Sequence, residues 1–345
     1  MENRETLINR KFEAKEFEWI ETEKYFPEYI GRGSDQLVYK IPKHPDVVLK
    51  VSWKKMVESY EALLLISEDT QKPDSNELIS KRLINEIAAK NLVIKKIQDC
   101  FGADHCLKER SFVLSVPITN KILSDMVHLH YLHEGSPPSV GINLDINRLT
   151  TIVSVQEKYK EVDHPSSIGF SYGKIQKQQP SEFFLNTMLL SLDSEKKQTT
   201  LLLDHFDNSW GKDMTRLFHK ASTDTELNQL LIDFSKKAIL FTQNHDRILD
   251  FVGHDNIIFS KLDGVWTYKL IDALPSNFDR TFTDVKNILQ KEYDISMNVM
   301  DRKLCAQVIR YTAALNTIAK SGNSQNLLEL PPLTKEQLNF IFSKD

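Results

Sequence analysis

Phosphate chemistry is suggested first by Lys50, Asn256 and Asp272, together with the glycine pair Gly31 and Gly33. The run Ile30-Gly31-Arg32-Gly33-Ser34-Asp35-Gln36 separates two short apolar stretches and leads to Val47-Val48-Leu49-Lys50-Val51. Glycines let main-chain amides approach an anion with no Cβ in the way. A lysine set among apolar neighbours holds a cation in a fixed place. Much later, Gly253-His254-Asp255-Asn256-Ile257-Ile258-Phe259 offers an amide oxygen on a loop, and Lys269-Leu270-Ile271-Asp272 ends a strand in a carboxylate. A nucleoside triphosphate with magnesium needs these parts: mobile backbone over the phosphates, a cation on them, and hard oxygen ligands for the metal.

The elements that must carry these residues can be read from hydrophobic periodicity. Phe12, Phe17, Ile20 and Phe26 recur at roughly helical intervals and predict a helical preface over residues 1–25. Tyr29 to Gly31, Gln36 to Ile41 and Val47 to Ser52 read as three short strands of an antiparallel meander. Helical patterns follow at Trp53 to Leu65 and Asn76 to Ile97, the second with Leu83, Ile87, Leu92, Ile94 and Ile97 on its apolar side. Phe112 to Ile118 and Thr150 to Glu157 read as two more strands flanking a loop-rich insertion, 120–147. Beyond Lys158 the chain is mostly helical, with its clearest helix at Glu226 to Phe241. Ile257 to Ser260 and Tyr268 to Ile271 pair as a hairpin around Asp263-Gly264. Val285 to Ile295, Arg302 to Ile318 and a short helix after Leu330-Pro331-Pro332-Leu333 complete the pattern.

In this order of elements, over about residues 28–275, the chain resembles the protein-kinase-like superfamily, and especially divergent bacterial branches such as the YrbL-type and aminoglycoside phosphotransferase-like families. The resemblance implies an α+β, bilobal protein-kinase-like fold, with a small antiparallel β lobe carrying one main helix and a larger, mostly helical lobe. The corresponding division is 1–25 as an N-terminal extension, 26–157 as the small lobe with its insertion, and 158–345 as the large lobe.

The same resemblance distributes roles. Gly31, Gly33 and Ser34 would lie over the phosphates, although Gln36 stands where the third glycine of the usual kinase loop would be. Lys50 would bind the phosphates, paired with Glu86 on the following helix, with Glu77 the competing partner; alternatively, Lys50 ends an edge strand and points to water. Asn256 and Asp272 match the metal ligands, but Ala273-Leu274 replaces the Phe-Gly that follows the aspartate in the family. The catalytic aspartate belongs five positions before the asparagine, where this chain has Phe251. Asp250 is the favoured base, with His254 and Asp255 as alternatives. Gln156, Glu157 and Lys158 would form the stretch where an adenine bonds to backbone groups.

Composition narrows the classes. In a chain of 345 residues, 41% apolar and 27% charged content is ordinary for a globular protein, and a net charge of −4 argues against a phosphate-tracking nucleic-acid binder. Three cysteines are too few for a disulfide scaffold and suit a reducing compartment. Cys100, His105 and Cys106 lack a second ligand pair, and the His128 to His133 run lacks acidic or cysteine ligands at fitting spacing, so zinc is expected at neither. The polar start predicts no signal peptide, and no apolar run could span a bilayer. The expectation is a cytoplasmic, ATP- and magnesium-dependent kinase acting on a protein or small-molecule hydroxyl; delivery into another cell as a bacterial effector is a further possibility. Its rivals are a pseudokinase scaffold and a transferase of another group, such as AMP.

Overall fold

The computed structural model describes residues 29–32, 36–41, 44–67, 75–117, 148–159, 166–169, 180–193, 212–252, 256–274, 280–291 and 297–343. The helical preface, the insertion at 120–147 and the His128 to His133 run lie outside the described residues. The fold is α+β and divides into two compact units. Residues up to Val93 with Leu107–Tyr159 form the first, and Ile94–Cys106 with the chain beyond Tyr159 form the second.

Short β-branched and aromatic runs build the first unit's sheet from β1 (Tyr29–Arg32), β2 (Gln36–Ile41), β3 (His44–Ser52), β4 (Glu109–Pro117) and β5 (Arg148–Glu157). All pairings are antiparallel, in the order β1-β2-β3-β5-β4, so β5 returns to lie between β3 and β4. Leu49 faces Tyr39 across one ladder and Val155 across the other. Alternation puts these residues with Leu37, Val51, Val153 and Leu114 on one buried apolar face.

The helix α1 (Trp53–Ser67) follows β3 directly. The Ser52 hydroxyl accepts the Lys55 N–H at 3.3 Å, capping the first turn. Trp53, Met56, Val57 and Tyr60 recur at helical spacing and close the apolar face. The next helix, α2 (Ser75–Phe101), buries Ile79, Leu83, Ile87, Val93, Ile97 and Phe101. Leu92, expected on that stripe, is 66% exposed. One residue is about 100° of helical rotation, and Val93 takes the inward place.

The second unit holds a three-stranded sheet of β6 (Ser166–Ile168), β7 (Ile257–Leu262) and β8 (Val265–Leu270), in that order. Asp263 and Gly264 connect β7 to β8 with φ of 51° and 84°. Two consecutive positive φ values are what a two-residue hairpin loop demands, and an Asp-Gly pair supplies them at low cost. Around the sheet lie α3 (Glu182–Leu192), α4 (Lys212–Thr223), α5 (Thr225–His245), α6 (Phe282–Gln290), α7 (Val299–Ser321) and α8 (Lys335–Phe342).

Phe234 of α5 packs against Phe101, Phe251, Phe259 and Tyr268, with ring centroids 5.2 to 6.4 Å apart. Every residue of α7 from Gln307 to Lys320 is buried. Lys320 ends that run by donating to the carbonyls of Leu190 at 3.3 Å and Ser191 at 3.2 Å, which satisfies the C-terminus of α3. No helix among the described residues is long and apolar enough to cross a membrane.

Candidate functional site

The β7–β8 hairpin brings the two predicted metal ligands together. Ile257 opposes Leu270, so the residues just outside the ladder, Asn256 on one side and Ile271 and Asp272 on the other, must be neighbours. The Asn256 carbonyl accepts the N–H of Ile271 at 2.8 Å and that of Asp272 at 3.3 Å. The Asp250 N–H donates to the Ala273 carbonyl at 2.9 Å, joining the segment after α5 to the same corner.

The Asn256 side chain is tied down as well. Its Nδ2 donates to the Val252 carbonyl at 2.8 Å and, more weakly, to the Asp250 carbonyl at 3.5 Å. These bonds fix which way the amide faces and set Oδ1 on the opposite side, where it accepts no hydrogen bond among the described residues. Asp272 is partly exposed, and its backbone adjacency to Asn256 puts a residue with a carboxylate next to one with an amide oxygen, both hard oxygen donors. Such a pair suits magnesium, which keeps its other positions for phosphate oxygens and water. Among the described residues no group of three or more His, Cys, Asp and Glu side chains gathers as a metal site.

Phe251 is fully buried, stacked near Phe234 and 4.7 Å from the Tyr311 ring, so it is a core residue. Asp250, beside it, is partly exposed. One oxygen of its carboxylate, Oδ1, accepts the Val252 N–H at 2.7 Å and the Gln307 side-chain amide at 3.3 Å. His254 and Asp255 lie outside the described residues.

In the first unit, Lys50 sits on β3 opposite Val38 and Ser154 and is 8% exposed, on the face away from the apolar core. Burying an ammonium calls for a counter-charge. Glu86 engages Lys55 of α1 at 3.0 Å, and Lys55 also binds Glu58 at 3.0 Å. Burial alone would lower the pKa of Lys55, but Glu58 and Glu86 more than offset it and raise it above the ordinary lysine value. Glu77 binds Lys81 on the solvent side of α2. The charge of Lys50 also acts on the buried carboxylate of Glu109, at the start of β4, behind that of Lys90.

Glu109 Oε1 accepts Lys90 Nζ at 2.9 Å and the Ser111 hydroxyl at 3.2 Å, and Oε2 accepts the Gln156 side-chain amide at 2.9 Å. Burial would push this carboxyl up. The charges of Lys90 and then Lys50, with hydrogen bonds from Lys90 and Ser154, overcome that and hold it at about 2.

Gly31 lies in β1 opposite Val38, while Gly33 and Ser34 lie outside the described residues. Gln156 is buried, its amide committed to Glu109. The Glu157 N–H donates to the Lys108 carbonyl and the Lys158 N–H to the Asp46 carbonyl, both at 2.8 Å. Those two backbone donors, expected to meet an adenine, are engaged within the first unit. All three cysteines are free, and burial pushes the Cys106 thiol to about 11 and the Cys305 thiol to about 12, which leaves both inert at neutral pH.

Sequence reasoning missed Glu109, Lys90 and Gln307. Two signals were present. Lys90 interrupts the buried stripe of α2 between Ile87 and Val93, and Glu109 and Ser111 alternate with the inward-facing Phe112 and Leu114. No protein-family model, curated protein or solved structure matches the chain.

Proposed function

We propose that this chain is an ATP-dependent phosphotransferase of the protein-kinase-like type, moving the γ-phosphate of Mg-ATP to a hydroxyl on a protein or small molecule. The observation that carries the reading is the Asn256 corner. There, the side-chain amide of Asn256 is held by two main-chain carbonyls, and the backbone carbonyl of the same residue accepts from Ile271 and Asp272 at the end of β8. Asn256 and Asp272 would hold magnesium, which neutralises charge on the phosphates when bound. By the resemblance, Lys50 would place an ammonium on the phosphates, and backbone amides near Gly31 would contact them. Asp250 would orient the acceptor hydroxyl and take its proton. The test is the melting temperature with and without Mg-ATP. A rise that is lost in Lys50→Ala and in Asp272→Ala supports the reading; no rise in the unaltered protein ends it.

A second reading, a nucleotide-binding pseudokinase, is favoured by one observation. Asp250 Oδ1 is already occupied by the Val252 N–H and by Gln307. Transfer of label from γ-phosphate-labelled ATP to a panel of hydroxyl acceptors separates the two, and α-phosphate label tests AMP transfer in the same assay.

A further inference from the structure

We propose that Gln307 on α7 is a positioning residue for Asp250, turning its carboxylate toward the acceptor hydroxyl from within the core of the second unit. This deepens the phosphotransferase reading and rests on it for the role of Asp250, while the contact itself belongs to the second unit alone. Asp250 sits between Leu249 and Phe251, both fully buried, so its neighbours pin the backbone. Its N–H donates to the Ala273 carbonyl at 2.9 Å, and its carbonyl accepts from the Asn256 side-chain amide at 3.5 Å. What remains to be set is the side chain. Oδ1 accepts from two donors, the Val252 N–H at 2.7 Å and Gln307 Nε2 at 3.3 Å. A carboxylate accepts through two oxygens, so anchoring one directs the other.

The second of these donors comes from a rigid place. Gln307 is 6% exposed and opens the enclosed run of α7. Tyr311 lies one turn further along the same helical face. Its ring packs 4.7 Å from that of Phe251, and its hydroxyl shares a 2.8 Å hydrogen bond with Thr242 of α5. One face of α7 thus grips two successive residues, the ring of Phe251 through Tyr311 and the carboxylate of Asp250 through Gln307. Packing alone does not call for an amide at position 307. A leucine of similar volume would fill the place without the cost of burying a polar group. An amide N–H matches a carboxylate that can only accept, where a glutamate would repel it. The choice of glutamine therefore acts on direction, and a misplacement of about 1 Å at a reacting group can cost on the order of a hundredfold in rate.

The full chain, given γ-labelled Mg-ATP over a range of concentrations, is assayed for label passed to water and to the panel of hydroxyl acceptors. Gln307→Leu should lower kcat by about 10- to 100-fold, with KM for Mg-ATP and the Mg-ATP melting shift unchanged. Gln307→Glu keeps the shape without the donor and should lose at least as much. Gln307→His, whose Nε2–H lies as many bonds from Cβ, should recover most of the rate. These two variants make the same comparison if the leucine variant does not fold. Added to Asp250→Asn, Gln307→Leu should cost little more, because the two residues act as one unit. A kcat unchanged by the loss of the donor overturns the proposal. So does a loss that adds in full to that of Asp250→Asn, or one that histidine does not relieve, since packing alone would give either. An unaltered protein that transfers no label overturns the phosphotransferase reading and this role with it, whereas an active one indifferent to position 307 overturns the role alone.

Discussion

The Asn256 side-chain amide donates to the Val252 carbonyl at 2.8 Å, while the Asn256 backbone carbonyl accepts from Ile271 and Asp272. One residue thereby holds both the segment that follows α5 and the end of β8.

Asn256→Asp keeps the shape but replaces the donating amide with an oxygen facing two carbonyls. It should lower unfolding free energy by about 1–3 kcal/mol, read from urea denaturation. Mg-dependent ATP stabilisation should fall with it. A variant as stable as the unaltered protein would show that the amide bonds hold nothing together.

Asp250→Asn keeps an acceptor oxygen for the Val252 N–H and removes the charge. Under the phosphotransferase reading, transfer from γ-labelled ATP should drop by about 10²- to 10⁴-fold while the Mg-ATP melting shift stays. Equal transfer in variant and parent would assign the proton to another group.

The Glu109 carboxyl is depressed from 4.5 to about 2, so its contribution is complete above pH 4.5 and is lost as pH falls from there through about 2. The amount at stake is on the order of 3 kcal/mol. Urea midpoints of the unaltered protein and Glu109→Gln should differ most near neutral pH and converge as acid is added. Parallel curves down to low pH would contradict this assignment.

Phe234 touches four aromatic rings of the second unit and is fully buried. Phe234→Ala should cost about 3–5 kcal/mol, from lost burial and the cavity left behind. Calorimetry would check it, and a change under 1 kcal/mol, roughly one methylene's worth, would mean the ring is not central to that packing.

Much of the fold could be read in advance because its signals are local. Asp263-Gly264 specified its hairpin, Gln36–Ile41 was placed to the residue, and α5 extended its predicted span only to a cap at Asp224 and a left-handed stop at Asp246. The three-residue β6 was missed because Ser-Ser-Ile is too short to show a period. At the site, the adjacency of Asn256 and Asp272 followed from the hairpin alone. The pairing of Glu86 with Lys55 did not follow, because helix spacing alone does not say which cation an acid on α2 meets. The place of Glu109 depends on the order of strands in the sheet. That order places β5 between β3 and β4, and it aligns Glu109 in a way no stretch of contiguous sequence displays.

The enclosure of α7 from Gln307 to Lys320 has a consequence for how the second unit opens. A rod wrapped on every side has no surface from which to fray, so its amide hydrogens can reach solvent only when the elements around it come apart together. Deuterium uptake along that rod is therefore a gauge of the whole unit's cohesion.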